Sequence, residues 1–201
     1  MLSRRSLIVA VLAVSLITPL RSSAAAAPTE DASAFIRTLG DQLMVLLRDP
    51  SLKGPALEQQ LEDLIKRGTN VDLIGRLVLA RAYHQATPQQ IDEYNRLFSH
   101  YVFQNTAGRF EQYAGESYEI TGAQPRGDKD VVVNTDIDRP GAAPMKVNWR
   151  VRMNGEPAII DVEVEGISMV QTQRDEFAAV VQRSGIDGLL ALLRQRTGAS
   201  S

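Results

Sequence analysis

Cysteine is absent from this chain, so neither a disulfide framework nor thiolate chemistry is available and the fold has to hold by packing. Histidine is scarce. His84 and His100 are the only two, and neither has the i, i+4 partner that a helical zinc motif needs. No serine sits in a G-x-S-x-G setting and neither histidine has an evident orienting acid, so the pattern does not support nucleophilic catalysis. Positive charge is not in excess either. The formal net charge is −2, which argues against nucleic acid as a partner and against permanent adsorption on anionic lipid, leaving transient membrane encounters. A membrane-spanning run is also missing: the uncharged apolar stretch from Leu7 to Ile17 has 11 residues, where a bilayer core requires about 20.

That short run is flanked in a telling way. Arg4 and Arg5 precede it, Pro19 follows, and small residues at Ser23, Ala24, Ala25, Ala26 and Ala27 come next. This is the layout of a cleavable signal peptide over residues 1–27, with cleavage after Ala25 or Ala26 fitting an A-x-A-like site. Ser3-Arg4-Arg5-Ser6-Leu7-Ile8 also resembles a twin-arginine signal, so the export route stays open between that and the ordinary secretory one. Losing Arg4, Arg5 and Arg21 takes the formal charge from −2 to −5. The remainder, 28–201, is long enough for one domain with a real core.

Periodicity divides this remainder into a helical part, a stranded part and a helical close. Phe35, Ile36, Leu39, Leu43, Leu46 and Leu47 recur at helical spacing until Asp49-Pro50. Pro55 suits the first turn of a second helix that carries Leu57, Leu61, Leu64 and Ile65 and stops at Gly68. Asn70 or Asp72 can cap a third, predicted to run to about Ala86. Thr87-Pro88-Gln89-Gln90 reads as a capping box opening a long helix through Ile91, Tyr94, Leu97, Phe98, Tyr101, Val102 and Phe110, with Gly115 as its stop. The period then changes to two. Tyr118 to Ala123, Val131 to Asp138, Met145 to Met153 and Ala158 to Val164 read as four strands with short links, hence an antiparallel sheet. Two helices close the chain, near Thr172 to Ser184 and from about Asp187. The predicted fold class is α+β, a curved four-stranded antiparallel sheet packed against several helices and enclosing an apolar pocket.

The strands have an apolar and a wet face. Val147, Trp149 and Val151 alternate with Lys146, Asn148, Arg150 and Arg152, and Ile160, Val162 and Val164 alternate with Asp161, Glu163 and Glu165. The three acids could form a catalytic or metal-binding constellation. Period two instead places them on the wet face, where Arg150 and Arg152 can neutralise them as a solvated cross-strand ladder. The abundant apolar and aromatic side chains fit a filled core and a lined cavity equally well, because periodicity does not separate the two.

Two segments carry a family resemblance. The first is Asn70-Val71-Asp72-Leu73-Ile74-Gly75-Arg76-Leu77-Val78-Leu79-Ala80-Arg81, followed by Gln85-Ala86-Thr87-Pro88-Gln89-Gln90. The second is Asp161-Val162-Glu163-Val164-Glu165-Gly166-Ile167-Ser168, followed by Gln173-Arg174-Asp175-Glu176-Phe177 and Gly185-Ile186-Asp187-Gly188-Leu189. Together they make the chain similar to the MlaC-type periplasmic phospholipid-binding proteins, the toluene-tolerance family. The chain departs from that family at Ala80, where members usually have glycine, at Tyr83-His84, where a tryptophan is usual, and at Pro157, where an aromatic is. Gly155-Glu156-Pro157 is similar to a branch associated with hopanoid synthesis, so hopanoid or another lipid stays open beside glycerophospholipid.

The resemblance implies a non-enzymatic periplasmic carrier without a cofactor or metal, shuttling lipid between an inner-membrane ABC-transporter complex and an outer-membrane lipoprotein complex. Its candidate lipid contacts are Leu73, Leu77, Val78, Tyr83, Phe98, Tyr101 and Val102 on the helices. On the sheet side they are Val147, Trp149, Val151, Ile160, Val162, Val164 and Ile167. The physical demand agrees: each acyl methylene left in water costs about 0.8 kcal/mol, so a carrier must hide the chains. Two competing readings are an enzyme on a similar helix-and-sheet cone acting on an apolar substrate, and a scaffold protein with a filled core.

Overall fold

The computed structural model describes residues 26–110 and 117–198. Residues 1–25 of the expected leader (1–27) and the helix stop at Gly115 therefore lie outside the described residues. The element order is α1 (Ala26–Arg48), α2 (Pro55–Gly68), α3 (Val71–Leu79), a 3-10 turn (Ala80–His84), α4 (Pro88–Phe110), β1 (Ser117–Arg126), β2 (Asp130–Asp138), β3 (Met145–Arg152), β4 (Ala158–Val164), β5 (Ile167–Ser168) and α5 (Met169–Thr197). No described helix is long and apolar enough to cross a membrane.

Local chemistry sets the helix starts. Pro55 occupies the first turn of α2, where its missing N–H is no loss. Asn70, not Asp72, caps α3 by accepting from the Leu73 N–H at 2.9 Å. At α4 the Thr87 Oγ1 accepts from the Gln90 N–H at 3.2 Å while Gln90 Oε1 accepts from the Thr87 N–H at 2.9 Å, so the capping box is closed in both directions. The third helix is shorter than its periodicity predicts. It ends at Leu79 because Ala80 takes φ 51 and ψ −120, and the chain continues to His84 as a 3-10 turn.

Among the described residues the sheet has five strands in the order β1-β2-β3-β4-β5, all antiparallel. The expected count of four misses β5, whose two residues are too few for a period to register. β4 and β5 form a hairpin through Glu165 and Gly166, both at positive φ (50 and 80), the backbone of a two-residue turn whose twist matches the strands. The predicted break between two closing helices also exists: Gly185 interrupts α5 with φ 68 and ψ −175.

Burial falls into separate clusters. Val78, Leu79, Tyr94, Leu97, Phe98, Phe177, Leu189, Leu190 and Leu193 form a helical core between α3, α4 and α5. Val131, Val133, Val151 and Ile159 on the sheet pack against Ala32 and Ile36 of α1. A third cluster of Leu47, Leu57 and Leu61 joins the C-terminal end of α1 to α2.

The candidate lipid-binding face

Strand registers place Tyr118, Ile120 and Ala123 of β1 level with Ile137, Thr135 and Val133 of β2, and the latter two with Val147 and Trp149 of β3. Trp149 is in turn level with Val162 of β4, and Val147 with Val164. One continuous apolar surface results, the inner face of the sheet, and α1 lies across it. Trp149 is oriented by a buried hydroxyl: its Nε1–H donates to Thr135 Oγ1 at 2.9 Å, and Thr135 donates to the Val147 carbonyl at 2.8 Å. The indole is thereby pinned, half-buried, at the inner-face cluster that Val162, Met153, Ile120, Phe35 and Leu39 also border. In the same region, between α1 and β1, lies an open depression of ≈ 360 Å³ lined by Thr29, Glu30, Ser33, Ala34, Arg37 and Ala123.

The structure divides the expected contact residues into two groups. Trp149, Val151 and Val162 meet on the inner face, with Val147 buried and Val164 half-buried on the same strands. Phe98 and Val78 belong instead to the helical core, with Leu77, Tyr83, Tyr101 and Val102 at its margin. That core packs around its aromatic rings. The Tyr94 and Phe98 rings stack at 5.3 Å, and Phe177 stands edge-on to them at 6.5 and 6.2 Å, the arrangement that ring quadrupoles favour. Tyr94 donates its hydroxyl to the Gly75 carbonyl at 3.0 Å, and burial pushes its pKa well up. Leu73 is half-buried on α3.

Two expected contacts lie apart from the inner-face cluster. Register slips between Arg150 and Val151, so that Arg150 faces Asp161 while Val151 faces Ile159. Ile160 is the extra residue of a β-bulge, and Ile159 takes the inner-face position that strict alternation assigns to Ile160. Ile167 is 59% exposed beyond the hairpin turn. What the sequence pattern did not assign to this face is Phe35 and Leu39 of α1, together with Ile120, Ala123, Val131, Val133 and Met153. The stripe on α1 and the alternation in β2 are legible, but what they pack against is not.

The acidic ladder on the opposite face is also rearranged. Arg150 and Arg152 pair not with Asp161, Glu163 or Glu165 but with Asp130, only 5% exposed, which accepts from Arg150 Nη2 at 2.5 Å and from Arg152 Nε. Burial pushes the Asp130 carboxyl up, but hydrogen bonds from Arg152 and Arg150 and their charges outweigh it and hold the pKa below its ordinary value. Glu163 pairs with Arg126 at 3.0 Å. Asp161 is not solvated: at 9% exposure, it accepts from Ser168 Oγ at 2.6 Å and from the backbone N–H groups of Val162 and Val170 at 2.8 and 3.1 Å. It thus ties β4 to the start of α5. Glu165 accepts from the Lys146 N–H at 2.8 Å. These carboxylates are occupied with structure and face away from the apolar surface.

An open antiparallel sheet with one apolar face under a helix, backed by a separate helical core, defines a class of α+β proteins built around a coverable apolar surface. The chain belongs to the MlaC family: the family model described as MlaC protein matches residues 37–195. One relative, the intermembrane phospholipid transport system binding protein MlaC of Haemophilus influenzae, is 24% identical over 132 residues. That alignment covers 63% of this chain and 61% of the relative, so the chain spans less than two thirds of its length. Among solved structures, a phospholipid-binding protein from Ralstonia solanacearum in complex with a phospholipid superposes with a TM-score of 0.73 at 23% identity, covering 83% of this chain and 97% of that one. The second likeness is one of fold.

Proposed function

We propose that residues 28–201, released from a leader over 1–27, form a periplasmic lipid carrier. In this reading it holds phospholipid acyl chains against the inner sheet face and shuttles lipid between an inner-membrane ABC-transporter complex and an outer-membrane lipoprotein complex. The observation that carries the reading is the inner face itself. Trp149, Val162, Met153 and Ile120 form an apolar surface that α1 only partly buries, in a fold shared with a protein solved around a phospholipid. Acyl chains laid on such a surface leave water at about 0.8 kcal/mol per methylene, while a headgroup stays at the wet rim. The formal charge of −5 without the leader disfavours lasting adsorption to anionic membranes, which suits a protein that must let go of each one.

Organic extraction of the protein purified from periplasm, followed by mass spectrometry, tests this. About one glycerophospholipid per folded chain is expected, with bound lipid unaffected by chelators. Folded protein without lipid, or lipid lost on removing a stoichiometric metal, would overturn it. The likeness of Gly155-Glu156-Pro157 to the hopanoid-associated branch keeps a hopanoid as the second candidate ligand, and a polycyclic triterpenoid in the same extract would select it.

A further inference from the structure

Helix α1 occupies the ground that the proposed lipid needs. Ala32 and Ile36 are buried against Val131, Val133, Val151 and Ile159, with Phe35 and Leu39 beside them. Protein interiors are close-packed, so side chains of α1 and acyl chains cannot fill one volume together. The helix is held unequally along its length. At its C-terminal end Leu47 packs with Leu57 and Leu61 of α2, and the six residues between the two helices end at Gly54, whose φ of 56 and ψ of −136 suit glycine. At mid-helix one side chain clasps it. The ring of Tyr118 lies against Gly40, where an added Cβ would sit 2.5 Å from the ring carbon Cζ. The Tyr118 hydroxyl donates to Asp41 Oδ1 at 2.7 Å and lies 3.0 Å from the Arg37 carbonyl. Toward the N-terminal end, Thr29 and Ser33 border the open depression beside Ala123.

We infer that α1 is a lid over the lipid-binding face, pivoting near α2 and latched by Tyr118, and that lipid loads and leaves when the latch releases. This inference rests on the lipid-carrier reading. Opening exposes the apolar sheet in water, which keeps the empty lid shut. An acyl chain can replace Ala32, Phe35 and Ile36 on the sheet, exchanging one apolar contact for another. Tyr118 is therefore a gating residue, and glycine at position 40 is what lets its ring close down on the helix.

The absence of cysteine makes the test clean, since two introduced thiols are the only ones. Ser33→Cys with Ala123→Cys, both lining the depression, is joined by a short bis-methanethiosulfonate cross-linker, which forms a reducible disulfide to each thiol with methanesulfinate as the leaving group. Transfer is followed from vesicles of phosphatidylethanolamine and phosphatidylglycerol that carry a fluorescent-tailed phospholipid. The joined protein is expected neither to take up nor to release lipid, and reduction should restore both. In the otherwise natural chain Tyr118→Phe keeps the ring over Gly40 and removes only the latch hydrogen bond, so release should become roughly three- to tenfold faster with the fold unchanged by circular dichroism. Exchange by the cross-linked protein at the uncross-linked rate would overturn the lid, and an unchanged release rate in Tyr118→Phe would remove the latch. A folded protein that acquires no lipid in any of these forms would instead overturn the carrier reading on which both depend.

Discussion

Asp130 shows what single residues contribute away from the apolar face. Its carboxylate is buried between two half-exposed guanidiniums, and removing its charge would leave Arg150 and Arg152 side by side on one face of β3 without a counter-ion. Breaking a buried pair by deleting one partner costs about 3–5 kcal/mol when both ions are enclosed, and less here because the arginines reach water. Asp130→Asn should therefore lower stability by roughly 2 kcal/mol in urea unfolding at neutral pH. The sign of its pH dependence follows from the depressed pKa: the contribution is complete above the ordinary value of 3.8 and is lost as pH falls through the lower folded value. The difference between natural and variant protein should therefore narrow only below about pH 4. Ala80 presents the opposite case. Its φ of 51 and ψ of −120 are strained for any residue with a Cβ, costing about 1–3 kcal/mol. Ala80→Gly should raise the melting temperature by a few degrees, and no rise would mean the backbone there is relaxed in solution.

Among elements, α5 depends on one backbone position. Gly185 has φ 68 and ψ −175, a region closed to side chains, and nothing lies within 4 Å of where a Cβ would go. Any effect of Gly185→Ala is thus conformational rather than steric. It should destabilise by about 1–3 kcal/mol, because the break directs Leu189, Leu190 and Leu193 into the helical core. An alanine tolerated at no cost, measured by thermal unfolding, would show that α5 can run straight through. The turn of Glu165 and Gly166 has a similar role at the sheet edge. The β5 strand that this turn creates exists only through pairing with β4.

For the whole molecule the central question is whether the inner face is packed core or a surface kept for a ligand. Val162 tests this because it lies level with Trp149 and is only half-buried. Val162→Trp in a filled core forces strain of about 1–3 kcal/mol. On a lipid-binding face the indole instead takes acyl-chain space, so the lipid-free protein should keep its melting temperature while bound lipid falls sharply. Glu163→Gln on the opposite face should leave lipid content unchanged and lose at most about 1 kcal/mol with its exposed Arg126 pair. A strongly destabilised lipid-free Val162→Trp with undiminished lipid per folded molecule would place the ligand elsewhere.

The sequence by itself determined the α+β class, the helix starts at Pro55 and Thr87, a start for α3 at Asn70 or Asp72, a break between two closing helices and the four long strands. Each is written in chemistry that acts within a few residues: caps, turns, and periods of 3.6 or 2. It also sorted Trp149 and Val162 from Glu163 correctly, since alternation is local. Only the tertiary structure decided which apolar residues fill the Tyr94–Phe98–Phe177 core and which face α1, that the bulge puts Ile159 in place of Ile160, and that Asp130 rather than Asp161 neutralises the two arginines. These depend on contacts between residues far apart in the chain, where an apolar side chain reads the same whether its neighbour is another side chain or a lipid tail.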